Sequence, residues 1–141
     1  MIEDPVEHFF ASDESRLLVL PTLDALEEQA ENADRTRSVA SNVIESLRGS
    51  DVMRMAATSE LGGVESSILA MGRELEAVAA RCPSTAWCLW NHLAVFHLFV
   101  GTLGPEHQGF LEEIIHSGHW VSFPAGAGSG VYGRIEGNEA I

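Results

Sequence analysis

Six histidines are the residues best able to ligate a metal ion, and their spacing decides whether they can meet. His92 and His97 are five residues apart, about 140° around a helix, whereas two residues on one face lie three or four apart. His116 and His119 lie on either side of Gly118, and no acidic residue stands at a zinc-protease spacing from them. We therefore expect no metal site, and we interpret the histidines as hydrogen-bonded groups within packed helices.

The two cysteines, Cys82 and Cys88, could serve redox or metal chemistry if they were closely spaced. They are six residues apart, which matches neither a redox CxxC motif nor a zinc-binding pair. One precedes Pro83 and the other lies within an apolar segment. We therefore expect buried free thiols in a reducing cytoplasm.

A glycine-rich run, AGAGSG at residues 125–130, could allow a phosphate to approach the backbone. It is neither the GxGxxG fingerprint nor a P-loop, because no Lys-Ser/Thr pair follows it. A flexible turn is the favoured interpretation over a ligand-binding loop. Spacing also assigns no Ser/His/acid or Cys/His catalytic set, so the catalytic residues are unknown from residue chemistry alone.

Composition limits the classes of partner. The chain has 141 residues, which predicts one domain as the default, and its 21 acidic against 8 basic side chains give a net charge of −13. Nucleic acid and anionic lipid bind through Lys and Arg, so we expect neither nucleic-acid nor membrane binding. The first ten residues lack the basic and apolar regions of a secretory signal, and residues 1–14 are expected to be a loose lead-in. A cytoplasmic protein is predicted.

Hydrophobic periodicity predicts helices that could position these groups. One is expected to begin near Pro21, and others cover Val39 to Leu47, Ile68 to Ala79 and Pro105 to His116. Between the second and third, residues 52–56 are expected to be half-buried and residues 61–63 to form a turn. The third helix is predicted to point its charged residues outward, namely Glu65, Arg73, Glu74, Glu76 and Arg81.

Residues 84–100, STAWCLWNHLAVFHLFV, form a helix-length segment that is apolar on nearly every side. Such a helix belongs in an interior, so we expect other elements to surround it. Pro83 precedes it, and Ser84 or Thr85 is the expected N-cap. Seventeen residues that include His92 and His97 are short for a membrane span, which needs roughly 20 apolar residues.

The pattern changes after Gly118, where the 3.6-residue period disappears and glycines become frequent. Residues 131–135 are predicted to form a strand, and Gly137-Asn138 is typical of a two-residue hairpin turn. The returning strand would be residues 139–141. Because so short a strand is not stable without a sheet, we expect the rest of that sheet to lie outside this polypeptide.

Four stretches, in order, resemble the N-terminal part of the acyl-CoA dehydrogenase superfamily, which includes related flavin-dependent monooxygenases. They are residues 33–50 (an acidic helix followed by SLRGS), 60–65 (ELGGVE), 82–87 (CPSTAW) and 103–118 (from LGPEHQ to HSG). The resemblance implies a mainly α fold: residues 1–118 form an N-terminal helical bundle domain, and residues 119–141 begin an incomplete middle β domain.

The resemblance also implies a flavin, FAD or FMN, and a small-molecule substrate. Ser122 and Ser129 are candidate cofactor contacts, because residues 122–130 are similar to the family's TEPGAGSD loop. Trp87, Trp90 and Phe96 are candidate lining of the substrate cavity, although core packing is favoured for each. The monooxygenase branch has an active-site histidine at the position of Val95.

The leading expectation is therefore the N-terminal portion, or a subunit, of a flavin-dependent oxidoreductase that dehydrogenates an acyl thioester between its α and β carbons. The family's catalytic glutamate lies in a later domain, so this chain alone is expected to be inactive. Its partners would be the remaining domains or a partner subunit in a homo- or hetero-oligomer. The alternatives are a portion of a two-component flavin monooxygenase acting on a small aromatic substrate, and a non-catalytic helical accessory subunit.

Overall fold

A computed structural model describes residues 17–122, together with the backbone of residues 135–136 and 139–140. The expectations for the lead-in, the glycine-rich run with Ser129 and the Gly137-Asn138 turn lie outside the described residues. The described part is mainly helical, as predicted. Its α-helices are α1 (Leu20–Thr36), α2 (Ser41–Arg48), α3 (Ile68–Arg81), α4 (Pro83–Thr102) and α5 (Gln108–Ser117), with 3₁₀ turns at Asp51–Arg54, Ser59–Leu61 and Pro105–His107.

α1 and α2 follow their apolar periodicity. Pro21 lies in the first turn of α1, where its missing N–H has no helical acceptor to lose. α1 ends where Arg37 adopts a left-handed conformation and its N–H donates to the Ala33 carbonyl. α2 buries Val43 and Leu47 and ends at Gly49, as the sequence predicts.

The ELGG segment is a tight turn fixed by its two glycines. Gly62 has a φ of 81°, a conformation that favours glycine. A Cβ atom on Gly63 would lie 2.2 Å from the Ala57 carbonyl oxygen, so the chain passes there too closely for any side chain. Glu65 closes the turn, because its carboxylate accepts hydrogen bonds from the Ser59 backbone N–H at 3.1 Å and hydroxyl at 2.6 Å. These bonds hold the pKa of Glu65 below its ordinary value.

α3 and α4 form a hairpin whose only linking residue is Cys82. Cys82 is extended and acts as the N-cap, and Pro83 is the first residue of α4. The prediction that Ser84 or Thr85 caps this helix is therefore wrong, because proline at the first helical position moves the start one residue earlier. The Thr85 hydroxyl instead donates to the Cys82 sulfur at 3.1 Å.

The core has two parts that meet along α4. The larger joins α1, α2, α3 and the first half of α4 around Leu26, Leu47, Val78 and Leu89. The smaller packs the second half of α4, through Phe96, against α5 and the 3₁₀ turn at Ser59–Leu61. α4 is therefore the central element of the bundle, as its composition predicts.

α4 is nevertheless not surrounded, so that part of the prediction is wrong. One stripe of the helix is buried, whereas Trp87, Cys88, Trp90 and Leu98 are exposed within the part of the chain that the structure describes. The sequence could not distinguish the two faces, because both are apolar.

Beyond the bundle, Ile135–Glu136 (β1) and Glu139–Ala140 (β2) pair antiparallel, with Ile135 opposite Ala140 and Glu136 opposite Glu139. This pairing is the one that the hairpin prediction requires. The wider β domain stays a prediction. No helix in the described ranges combines the length and the hydropathy needed to cross a bilayer.

Candidate functional site

An open apolar groove lies between α3 and α4. It has a volume of about 480 Å³ at the end where α3 begins. A second stretch of about 520 Å³ continues it towards the α3–α4 turn, with Glu76 as its charged member. The first stretch is lined by Ile68, Met71, Gly72, Leu75, Trp90, Leu93, Ala94 and His97. It is a place where hydrocarbon or an aromatic ring can be removed from water.

Trp87 and Trp90 form the wall of this groove on the α4 side. Their rings stack, with centroids 5.2 Å apart and planes 28° apart. Trp87 is 66% exposed and Trp90 is 47% exposed. The expectation that both are core residues is wrong for this reason, and both are accessible to a ligand or a partner. Large exposed aromatic side chains grouped on one face mark a binding surface.

Phe96 behaves differently and belongs to the core. It is 2% exposed and packs in the smaller core cluster, with its ring centroid 6.4 Å from that of His92. Its assignment as cavity lining has no support, and the favoured alternative of core packing is confirmed. Val95, the position of the monooxygenase histidine, is also fully buried and absent from the groove.

His92 is buried and holds three segments together. Its Nε2 lies 2.9 Å from the Met53 carbonyl oxygen, and its Nδ1 accepts the Val121 backbone N–H at 3.1 Å. Because Nδ1 is an acceptor, Nε2 must carry the proton and donate it, so the ring is neutral. Burial lowers the pKa of His92, and the bond to Met53 opposes this effect. The interpretation of His92 as a satisfied histidine within a packed helix is confirmed.

Trp120 lies against the other side of this histidine. Its ring centroid is 5.6 Å from that of His92, and it packs on the larger core cluster. Among the described residues, its indole Nε1 is buried and has no hydrogen-bond partner. The segment after α5 is therefore fastened to the bundle by Trp120 and by the Val121 amide.

The remaining chemically active side chains are dispersed. His97 is exposed at the open end of the groove, on a different face from His92, as the spacing predicts. Cys82 is buried but Cys88 is exposed, so the prediction of two buried thiols is wrong for Cys88. Partial burial and the neighbouring Cys82 raise the pKa of Cys88. Within residues 17–122, no three His, Cys, Asp or Glu side chains form a group that could hold a metal ion.

The flavin assignment can be tested on one of its two candidate contacts. Ser122 is exposed at the end of the described bundle, and Ser129 lies outside the described residues. A flavin needs several donors for its phosphate and ring system, and one exposed hydroxyl does not supply them. Ser122 alone therefore does not make a flavin site, and the expectation of a flavin stays a prediction.

Sequence patterns missed one buried charged residue. Glu74 was expected to point outward, but it is 3% exposed, and its carboxylate accepts the Leu17 backbone N–H at 3.4 Å. The available signal was its spacing, because Glu74 stands four residues after Ala70 and four before Val78, on the buried face of α3. The prediction placed Glu74 on the surface because of its charge, although its spacing placed it on the buried face of α3.

Comparison with protein families, with curated proteins and with solved structures found no match.

Proposed function

We propose that this helical unit supplies one wall of the substrate cavity in a flavin-dependent oxidoreductase of the acyl-CoA dehydrogenase type. The reaction would be the α,β-dehydrogenation of an acyl thioester. The flavin and the catalytic base would come from the remaining domains or from a partner subunit. The proposal rests on the family resemblance of the four motifs and on one structural observation, the open apolar groove between α3 and α4.

The groove suits a hydrocarbon substrate because its lining is almost uncharged. From Ile68 to Ala79 it follows α3 for eleven residues, or about 17 Å. Each methylene group transferred from water into such a lining contributes about 0.8 kcal/mol. An acyl chain laid along the groove would therefore gain affinity with length, up to the length of the groove.

The groove offers binding and exclusion of water, with little capacity for proton transfer. Its titratable side chains are Glu76 at one end and His97 at the other. Neither side chain makes a hydrogen bond or an ion pair within the described residues, as an oriented general base would. We therefore assign this chain no catalytic residue.

One observation favours a second candidate, a two-component flavin monooxygenase. The stacked Trp87–Trp90 pair is a flat aromatic surface suited to a small aromatic substrate. The buried Val95 in place of that branch's histidine counts against it. A third candidate, a non-catalytic accessory subunit, would use the same exposed face to bind a partner protein.

Ligand titration of the 141-residue chain tests the proposed wall. Trp fluorescence is followed in a Trp120→Phe background, so that Trp87 and Trp90 report. A series of acyl-CoAs should quench with affinity that rises with chain length, and free CoA should not quench. Ile68→Glu, at the first residue of α3, should weaken binding about tenfold or more. Leu20→Glu, at the first residue of α1, which is also exposed, should leave it unchanged.

The outcomes separate the candidates. Quenching by small phenols in place of acyl-CoAs would favour the monooxygenase, and no quenching by either would refute a substrate wall. The isolated chain should bind flavin weakly. A sub-micromolar dissociation constant for flavin would contradict the proposal that the remaining domains or a partner subunit hold it. In an assembly that contains flavin, bleaching by acyl-CoA indicates dehydrogenation, and consumption of reduced flavin and oxygen indicates monooxygenation. Absence of flavin from every assembly would leave the accessory subunit.

A further inference from the structure

The exposed stripe of α4 has the spacing of a coiled-coil seam. Its residues recur at intervals of four, three, four, three and four, which is the heptad pattern of helices that pack side by side. All are exposed or half-buried within the described chain. The seam, as we call it, consists of Pro83, Trp87, Trp90, Ala94, His97 and Gly101.

α4 also lacks charge where a solvated helix would carry it. Charged side chains make up 21% of the chain, so a 20-residue helix of average composition would have about four. α4 has no Asp, Glu, Lys or Arg at all. A solvated face is normally charged, and an uncharged heptad seam indicates a face that is covered in the assembled protein.

The seam is complementary to itself when two copies pack antiparallel. A two-fold axis midway between Trp90 and Ala94 places Trp90 of one copy on Ala94 of the other. The same axis places Trp87 opposite His97, and Pro83 opposite Gly101. Each large side chain thus faces a smaller one. A parallel arrangement would instead oppose tryptophan to tryptophan and glycine to glycine, leaving both clashes and gaps.

The exposed area is close to what a dimer requires. Trp87, Trp90, Leu98 and Ile68, on or beside the seam, leave on the order of 500 Å² of apolar side chain exposed. A specific interface buries about 800 Å² per partner, including its polar rim. The apolar centre of a standard interface is therefore already present on one face of this chain.

We infer that the occupant of the seam is a second copy of this chain, packed antiparallel through α4 across a two-fold axis. Five of the six seam residues, all except Gly101, also line the groove between α3 and α4, so the partner's α4 and an acyl chain would compete for this face. The dimer does not depend on the proposed function, because it rests on the seam and requires neither flavin nor substrate. Either proposal can fail while the other stands.

Sedimentation equilibrium of the 141-residue chain tests the inference. The wild-type chain should form a dimer at high concentration. Trp90→Glu should raise the dissociation constant at least about thirtyfold, because the substitution occurs twice in each symmetric dimer. Ala94→Glu should act likewise without removing an aromatic side chain. Leu20→Glu, at a site on α1 that is 63% exposed, should leave the constant unchanged.

Each outcome of the sedimentation experiment supports or refutes the dimer through α4. A monomeric wild-type chain at all concentrations would refute the dimer. A dimer that survives both Trp90→Glu and Ala94→Glu would place the interface elsewhere. Circular dichroism checks that each variant folds, and either variant alone suffices if the other does not.

Disulfide formation tests the antiparallel register. Trp87→Cys and His97→Cys are made separately in a Cys88→Ser background, and the two proteins are mixed and oxidised. Residues 87 and 97 are about 15 Å apart along one helix but directly opposite across the antiparallel seam. The mixture should cross-link and each protein alone should not. Cross-linking of either protein with itself would refute the register.

Discussion

Replacement of His92 by leucine should destabilise the bundle, and the loss should depend on pH. The variant leaves the Met53 carbonyl and the Val121 N–H buried without a partner. Each unsatisfied group costs about 1–3 kcal/mol, so we expect the free energy of unfolding to fall by about 2–6 kcal/mol at neutral pH. Urea denaturation followed by tryptophan fluorescence measures this loss.

The pH dependence follows from the lowered pKa of His92 in the folded chain. Below the unfolded-state pKa of about 6.5, the unfolded chain binds a proton that the folded chain resists. The wild-type free energy of unfolding should therefore decline as the pH falls from about 6.5, at up to about 1.4 kcal/mol per pH unit, until the folded pKa is reached. The leucine variant lacks this group.

The difference between wild type and His92→Leu should therefore shrink with acidification, and carboxylates common to both proteins cancel from it. His107→Leu is the control, because His107 is an exposed histidine outside the seam and the groove. It should change the free energy of unfolding little. A wild-type advantage that stays constant from about pH 7.5 to about pH 5 would refute the assignment of a neutral, proton-resisting His92.

Three further outcomes are expected. Gly63→Ala should lower the melting temperature by several degrees, because its Cβ would lie 2.2 Å from the Ala57 oxygen. A Cβ on Gly109, which lies outside the seam, would meet nothing within 4 Å, so Gly109→Ala should not lower it; thermal denaturation compares the two. A maleimide should modify Cys88 in the folded protein and Cys82 only after unfolding, and mass spectrometry can follow both reactions. Because the pKa of Cys88 is raised, its rate of modification should still be rising above about pH 8.5. The dissociation constant of the proposed dimer should fall with added salt. Each copy carries a net charge of −13, so salt screens the repulsion between the copies, and the seam contains no ion pair that salt would weaken. Sedimentation at low and high ionic strength measures this change.

The helices could be predicted from sequence because the residues that begin and end helices agree with the hydrophobic periodicity along most of the chain. Pro21 lies in the first turn of α1, Gly49 ends α2, and Gly118 ends α5, and each does so through a local backbone preference that acts within one turn. The same local information identified the tight turn of the ELGG segment. None of these features requires knowledge of what lies across the core.

Burial was harder to predict, because it depends on which elements meet in space. Ile68 belongs to the apolar stripe of α3, yet it is among the most exposed apolar side chains of the bundle, while Glu74 on the same helix is buried. In α4 both faces are apolar, so hydropathy alone could not indicate that Trp87 is exposed and Phe96 is not. Trp87 and Trp90 were named through the family resemblance, whereas the α3 side of the groove, beginning at Ile68, emerged only from the structure.

The bond between the Val121 amide and the ring of His92 couples two remote parts of the chain. The ring belongs to the central helix and also donates to the carbonyl of Met53, so movement of the segment that leaves the bundle would remove one of the two hydrogen bonds that orient this ring. A ligand or domain that pulls on the residues after Ser122 would thus act on the interior of the bundle. The Val121 amide should accordingly exchange its hydrogen with solvent more slowly than an amide without a hydrogen bond, and replacement of His92 by leucine should abolish this protection.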